Sequence, residues 1–233
     1  MTEKHLSSQF DAELGSISTR VLEMGGMVES QLRQAIYAIH HLSIETVDQV
    51  IVLEQNVNRM EVEIDHDITS TMSRRQPTAR DLRLLVGISR IIVNLERAGD
   101  EATRIARMTR SFIEAGAPRN LPVSDMAEGA ALAADMMQRT LDAFARLDAQ
   151  AALEIIESDA HIDAAYEGYL RKLITYMMED PRTISTSLSL LFLAKAIERV
   201  GDHAKNIAEA TIYIVKGADL RHKTAAQRES ALR

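Results

Sequence analysis

The chain contains no cysteine, and only four of its 233 residues are proline and ten are glycine. A chain without cysteine forms no disulfide, thiolate zinc site, iron–sulfur cluster or cysteine nucleophile, and it is compatible with the reducing cytosol. Aromatic residues are also scarce, at 4%, while hydrophobic residues reach 46%. This composition is typical of an all-helical chain in which methionine and leucine fill the core.

Positive charge is in deficit and long apolar runs are absent. The formal net charge is −7 and the isoelectric point is near 5.5, so nucleic acid is repelled on average. This charge permits cation binding without demonstrating it. No run approaches the roughly 18 apolar residues of a membrane-spanning helix. The N-terminal residues lack the apolar core of a signal peptide. We therefore expect no transmembrane segment and a cytoplasmic location.

One stretch occurs twice. Residues 96–106 read ERAGDEATRIA and residues 198–208 read ERVGDHAKNIA, so seven of eleven positions are identical at an offset of 102. In a chain of this length the match indicates internal duplication.

Apolar residues that recur at intervals of three and four predict six long helices, three in each half. Ser43 and Asp148 are expected to cap the second and fifth helices, and Ser124 or Asp125 the fourth. Gly25-Gly26 interrupts the first helix and indicates a kink or a close crossing. In the first half, the first helix is expected from about Leu6 to Leu42, the second from Ser43 to Arg75 and the third from Pro77 to Glu114. In the second half, the fourth is expected from about Ser124 to Leu147, the fifth from Asp148 to Asp180 and the sixth from Pro181 to Gly217.

The repeated stretch places two carboxylates on one side of a helix. Glu96 and Asp100 are one turn apart, as are Glu198 and Asp202, and both pairs fall at the rim of the apolar stripe. Like charges at this spacing repel by a few tenths of a kcal/mol, and a glycine inside a helix costs about 1 kcal/mol.

Two explanations account for these penalties. Arg97 and Arg199 could neutralise the acids while the glycines admit a neighbouring helix. Alternatively, a cation bound by carboxylate oxygens would turn the repulsion into attraction.

These motifs resemble the signature of the PhoU family, the accessory regulators of bacterial phosphate-specific transport. The segments MGGMVESQL, RRQPTARDLRLL, LDAFARLD and YMMED are similar to that family too, and the resemblance runs from about Phe10 to about His222. It implies an all-α fold of two three-helix bundles related by a pseudo-twofold. The corresponding division is 1–117 and 118–217 for the two repeats, with a polar, frayed tail at 218–233.

The resemblance also implies metal ligands. Some members of the family hold clusters of iron, zinc or other divalent ions on acidic motifs, and Asp159 and Asp163 resemble the second ligand helix. The positions aligned with them at an offset of 105 are Glu54 and Asn58. Asn58 supplies a neutral oxygen and is expected to weaken the first site, for which Glu61 could compensate. The motifs leave the choice among Fe, Zn, Mn and Mg open.

Histidines are not expected among the ligands. His203 follows Asp202 and should point toward solvent, and His161 lies on the face opposite Asp159 and Asp163.

The resemblance implies a negative regulator of the phosphate-starvation response. Its partners would be the ATPase subunit of a phosphate ABC transporter and the sensor histidine kinase of the phosphate two-component system, and a homodimer is expected. Two alternatives stay open. One is a carboxylate-bound metal enzyme, either an oxidase or a metal-dependent phosphohydrolase, although no nucleophile or phosphate-binding loop is visible. The other is a scaffold whose acidic residues serve only solubility.

Overall fold

The structure is a computed structural model that describes residues 2–116, 122–221, 223–224 and 227–228, with side chains from Ser8 onward. The described residues form long helices and no strand, which confirms the all-α prediction. Two short 3-10 helices precede the fourth and sixth α-helices. The α-helices are α1 (Thr2–His41), α2 (Ile44–Arg75), α3 (Ala79–Glu114), α4 (Ala127–Arg146), α5 (Ala149–Glu179) and α6 (Ile184–Lys216).

Capping side chains fix the starts of α2 and α5 as predicted. The Ser43 hydroxyl accepts a hydrogen bond from the Thr46 amide, and the Asp148 carboxylate accepts from the amides of Gln150 and Ala151. The prediction for α4 is wrong, because Ser124 and Asp125 lie inside the 3-10 helix Pro122–Met126. Asp125 instead accepts a hydrogen bond from Lys172 at 2.6 Å, so it ties that short helix to α5.

Residues with left-handed backbone directly follow four of the α-helices, namely Leu42 after α1, Gln76 after α2, Leu147 after α4 and Gly217 after α6. Gln76 has φ 48° and ends α2 before Pro77, which belongs to neither α2 nor α3. Gly217 has φ 71° and ends α6 as predicted, since glycine adopts this conformation without a steric penalty.

The helices pack as two three-helix bundles, in agreement with the expected architecture. In the first bundle α1, α2 and α3 contact one another, and in the second α4, α5 and α6 do. Both cores are built from aliphatic and methionine side chains, as the composition indicated. Fully buried examples are Met24, Leu32, Ile64, Leu85, Ile92, Met136, Met137, Leu193 and Ile207.

The bundles are joined mainly by α3 and α6, which run antiparallel. Gly87 lies against Ile214, Asn94 contacts Asn206, and Glu101 contacts Arg199, so contacts ascend along α3 as they descend along α6. At the repeat offset of 102, Glu101 of α3 corresponds to His203 of α6, and Arg199 of α6 corresponds to Arg97 of α3. The contact between Glu101 and Arg199 therefore has a counterpart in the positions of His203 and Arg97, as expected for a pseudo-twofold axis between these helices.

A second contact between the bundles involves α1 and α4. A Cβ atom added at Gly25 would lie 2.3 Å from Leu141 Cδ2, whereas one added at Gly26 would meet nothing within 4 Å. Gly25 is therefore a close crossing, which settles the choice left open for this pair of glycines.

The segment after Gly217 is not frayed where the structure describes it. Leu220 is completely buried, and Asp219 lies 3.7 Å from Arg90 of α3. The sequence prediction of a free tail is thus wrong for residues 218–221, because it counted the polar residues and overlooked one leucine. Within the predicted tail, residues 222, 225–226 and 229–233 lie outside the described residues, as does the repeat boundary at 117/118.

Candidate metal centres

The first acidic cluster, here defined as Glu54, Glu61, Glu96 and Asp100, forms where α2 and α3 cross. A Cβ atom added at Gly99 would lie only 3.2 Å from Glu54 Oε2. The motif glycine therefore lets α2 approach α3, and this approach brings the carboxylate of Glu54 next to that of Asp100. The sequence-based interpretation of the glycine as a close-packing position is consistent with this contact.

Glu54 is the most buried member of the cluster, with 7% of its surface exposed. Its Oε2 accepts hydrogen bonds from Gln31 Nε2 at 2.8 Å and from Thr103 Oγ1 at 3.1 Å. Its Oε1 is buried and has no hydrogen-bond partner among the described residues. Burial raises the pKa of Glu54, and the adjacent Asp100 carboxylate, within hydrogen-bonding range, raises it further against the opposing effect of Gln31.

The other members also repel one another. Burial, followed by repulsion from Asp100 and Glu61, raises the pKa of Glu96 to about 6. Burial and then Asp65 raise the pKa of Glu61. The nearby cation is Arg97, whose Nε lies 3.6 Å from Glu96 Oε2 and whose side chain is 65% exposed. Asn58 lies exposed on the same side of α2. The cluster thus concentrates negative charge with little compensation.

The second acidic cluster, here defined as Asp159, Asp163, Glu198 and Asp202, forms where α5 and α6 cross. Gly201 faces Ile162, whose Cδ1 would lie 2.7 Å from an added Cβ. Burial and then repulsion from Asp159 raise the pKa values of Asp163 and Asp202. The structure therefore brings together all four predicted residues of this repeat.

Two lysines lie within the second cluster. Lys205 Nζ donates to Asp159 Oδ2 at 2.5 Å, and Lys195 Nζ donates to Glu198 Oε1 at 2.6 Å. Neither lysine is among the residues predicted from the repeated motif, which marks only the carboxylates. The available signal was the repeat alignment, because Val93 and Thr103 occupy the corresponding positions of α3.

Both halves of the chain match the PhoU domain, over residues 21–109 and 126–211. The chain belongs to the PhoU family. A protein of Burkholderia sp named phosphate-specific transport system accessory protein PhoU homolog is 48% identical over 223 residues, which cover 95% of each chain. The phosphate-specific transport system accessory protein PhoU of Escherichia coli (strain K12) is 46% identical over 220 residues, covering 94% of this chain and 90% of that protein.

Solved structures share the PhoU architecture. The crystal structure of PhoU from Pseudomonas aeruginosa matches with a TM-score of 0.86 and 41% identity, over 90% of this chain and 100% of that one. The phosphate transport system regulatory protein PhoU from Streptococcus pneumoniae has a TM-score of 0.83 at 24% identity, over 90% and 98% of the two chains. The latter likeness supports the fold alone.

The two motif arginines of this PhoU chain have different partners. Arg97 remains beside Glu96, whereas Arg199 Nη1 donates to Glu101 Oε1 at 2.8 Å across the interface of α3 and α6. Glu101 is buried, and sequence reasoning did not identify it. The idea that each arginine neutralises its own motif therefore does not describe Arg199, whose hydrogen bond ties the two bundles together.

His203 also lies in this interface, so the prediction that it points to solvent is wrong. It is half-buried, and its Nδ1 is 3.2 Å from Asn94 Oδ1. Burial, followed by the charges of Arg199 and Arg97, lowers the pKa of His203 to about 4, and Asp100 opposes this shift. The prediction failed because the edge of the apolar stripe, treated as exposed, is covered by the other repeat.

The acidic side chains are close but are not already arranged around a common position. No group of three or more histidine, aspartate or glutamate residues in the described part of the chain could hold a metal ion without adjustment. The unpartnered Glu54 Oε1 nevertheless fits the oxygen ligands that hard cations prefer. Over the same described residues, no helix is both long and apolar enough to cross a bilayer.

Proposed function

We propose that this chain is a cytoplasmic accessory protein of phosphate-specific transport and a negative regulator of the phosphate-starvation response. The observation that carries the proposal is that relatives bearing the name of this accessory protein align with 94–95% of the chain. The role is regulatory rather than catalytic. Its partners would be the ATPase subunit of a phosphate ABC transporter and the sensor histidine kinase of the phosphate two-component system.

The test is a phosphate-starvation reporter in phosphate-replete cells that lack this protein. We expect the reporter to switch on without the protein and to switch off again when the wild-type chain is restored. A reporter that stays silent in the deletion strain would reject the negative-regulator role. Purified protein assayed with Mn²⁺ against a phosphate ester addresses the alternative of a metal-dependent phosphohydrolase, and we expect no turnover.

Metal binding at the acidic clusters is the second part of the proposal. The residues that would hold the ion are Glu54, Asn58, Glu61, Glu96 and Asp100 in the first repeat and Asp159, Asp163, Glu198 and Asp202 in the second. Support comes from the raised pKa values of several of these carboxylates, which reflect repulsion that a bound cation would relieve. Fe, Zn, Mn and Mg all match oxygen-rich ligands of this kind.

A charge-matched comparison tests whether the metal contributes to regulation. The variant Glu96→Gln/Asp100→Asn removes two charges from the first cluster, and Glu154→Gln/Glu157→Gln removes two from the exposed face of α5. We expect the first variant to lose bound metal and partner capture, and the second to retain both. Metal content and partner capture retained equally in the two variants would show that the first cluster serves neither purpose.

We further propose that the chain forms a homodimer. Three apolar residues, Ile184, Leu188 and Phe192, follow one another at single-turn spacing on α6 and remain 42–53% exposed. Such a strip supports association with a second copy. Light scattering on Phe192→Lys tests it. Val62→Lys is the control, since Val62 is an exposed apolar residue of α2 without an exposed apolar neighbour one turn away. We expect Phe192→Lys to be a monomer and Val62→Lys to be a dimer. If both variants are dimers, this surface is not the dimer interface.

A further inference from the structure

The two acidic clusters differ in the cations that the chain itself supplies. In the second cluster an ammonium group lies 2.5 Å from Asp159 and another lies 2.6 Å from Glu198. At the corresponding positions of α3, Thr103 replaces Lys205 and Val93 replaces Lys195. Neither replacement carries a charge. The second cluster is therefore partly neutralised by two ammonium groups of its own helix, whereas α3 offers the first cluster only Arg97, which is 65% exposed and 3.6 Å from Glu96.

Buried oxygen atoms without partners in the described part of the chain are more numerous at the first cluster, since the second has one among its carboxylates, Glu198 Oε2. Glu54 Oε1 and the amide oxygen of the completely buried Gln31 both have no hydrogen bond among the described residues. A Cβ atom at Gly99 would lie 3.0 Å from that amide oxygen and 3.2 Å from Glu54 Oε2, so both side chains meet α3 at the same point. Leaving buried acceptors unpaired is costly, and a cation would satisfy them.

We propose that the clusters have different occupants: the first binds an oxygen-preferring divalent cation, and the second uses the ammonium groups of Lys195 and Lys205 in place of a metal. This inference rests on the metal-binding part of the proposed function and assigns it to one repeat. Asn58 alone predicts that the first cluster binds metal more weakly than the second, and the inference reverses this order of affinities. The reason is that Asn58 removes one negative charge from the first cluster, whereas the lysines add two positive charges to the second.

Displacement of the lysines explains why the second cluster should bind metal weakly. A divalent ion coordinated by the oxygens that accept from the lysines, Asp159 Oδ2 and Glu198 Oε1, would have to break both hydrogen bonds. It would also have to approach two ammonium groups of like charge, and repulsion between charges a few ångströms apart is large at the partly buried edge of a bundle. We therefore expect the lysines to weaken metal binding at the second cluster by at least about tenfold.

Mn²⁺ binding to the purified full-length chain tests the assignment, with bound metal counted by equilibrium dialysis and its coordination followed by electron paramagnetic resonance. We expect the wild type to bind Mn²⁺ tightly. Relative to it, Glu96→Gln/Asp100→Asn should abolish tight binding and Asp159→Asn should leave it unchanged.

Exchanging residues between the repeats tests the role of the lysines. Lys195→Val/Lys205→Thr introduces the residues of the first repeat into the second, and we expect it to double the number of tightly bound ions. Lys195→Arg/Lys205→Arg keeps both charges and is expected to match the wild type. Val93→Lys places an ammonium group three residues before Glu96, and because Val93 is 44% exposed this change is compatible with folding. We expect it to weaken Mn²⁺ binding about tenfold or more.

The outcomes separate this inference from the broader proposal. Two equally tight clusters in the wild type, with no gain in the Lys195→Val/Lys205→Thr variant and no loss in Val93→Lys, would overturn the inference while metal binding itself stands. Tight binding that requires Asp159 and not Glu96 would overturn it as well. No Mn²⁺ bound by the wild type or by any variant would instead reject the metal-binding part of the proposed function.

Discussion

Replacing Gly87 by alanine tests the packing that joins the two bundles. The added Cβ would lie 2.2 Å from Ile214 Cγ1 and 2.6 Å from its Cδ1, far inside van der Waals contact. Ile214 is buried and β-branched, so it has few alternative rotamers. Overpacking of this kind costs about 1–3 kcal/mol, while alanine gains about 1 kcal/mol over glycine in a helix. The net expectation is a loss of about 0–2 kcal/mol.

Gly26→Ala is the matched control, because an added Cβ there meets nothing within 4 Å. This variant should gain about 1 kcal/mol. Urea denaturation compares the free energies of unfolding of the two variants directly when both have the same m value, the slope of that free energy against urea concentration. The expected difference between them is about 1–3 kcal/mol. If Gly87→Ala is stabilised as much as Gly26→Ala, the contact between α3 and α6 described above is incorrect.

Three further predictions concern single contacts. Asp148→Ala should lower the free energy of unfolding by about 1 kcal/mol, since the amides at the start of α5 lose their acceptor; an unchanged denaturation midpoint would show that the cap contributes nothing. Arg199→Leu should destabilise the chain more than Arg199→Leu/Glu101→Leu does, because the single change leaves a buried carboxylate without its hydrogen bond; a larger loss in the double variant would contradict this. In the unfolded chain His203 becomes protonated as the pH falls below its ordinary pKa of 6.5, whereas in the folded chain it becomes protonated only near pH 4. Stability should therefore fall as the pH drops from about 6.5 to 4, and His203→Gln should reduce that fall in denaturation measured across this range.

Local chemistry made most of the fold predictable. The caps at Ser43 and Asp148 and the glycine stop at Gly217 each depend on a residue and its immediate neighbours, so they can be recognised without knowing the tertiary structure. The failures involve contacts between distant segments. Asp125 bonds to Lys172, and Leu220 is buried after the last helix. Neither contact follows from helical periodicity.

The acidic clusters show the same division. Glu96, Asp100 and their counterparts in α6 were identifiable because duplication marks them in the sequence. The partners of those carboxylates were not, because the reach of Lys205 to Asp159 depends on how α5 crosses α6. His203 was assigned to solvent for a related reason: a helical wheel gives the direction of a side chain but not what covers it.

The pseudo-twofold between α3 and α6 has an evolutionary consequence. In an ancestral pair of identical three-helix subunits, any substitution in the shared interface would appear twice, once on each side of the axis. Fusion into one chain removes that constraint, and the interface records it: Glu101 faces Arg199 on one side, while on the other the equivalent positions hold His203 and Arg97. One side of the axis therefore carries an ion pair and the other a neutral imidazole near a guanidinium, an asymmetry that two identical subunits related by a true twofold cannot have.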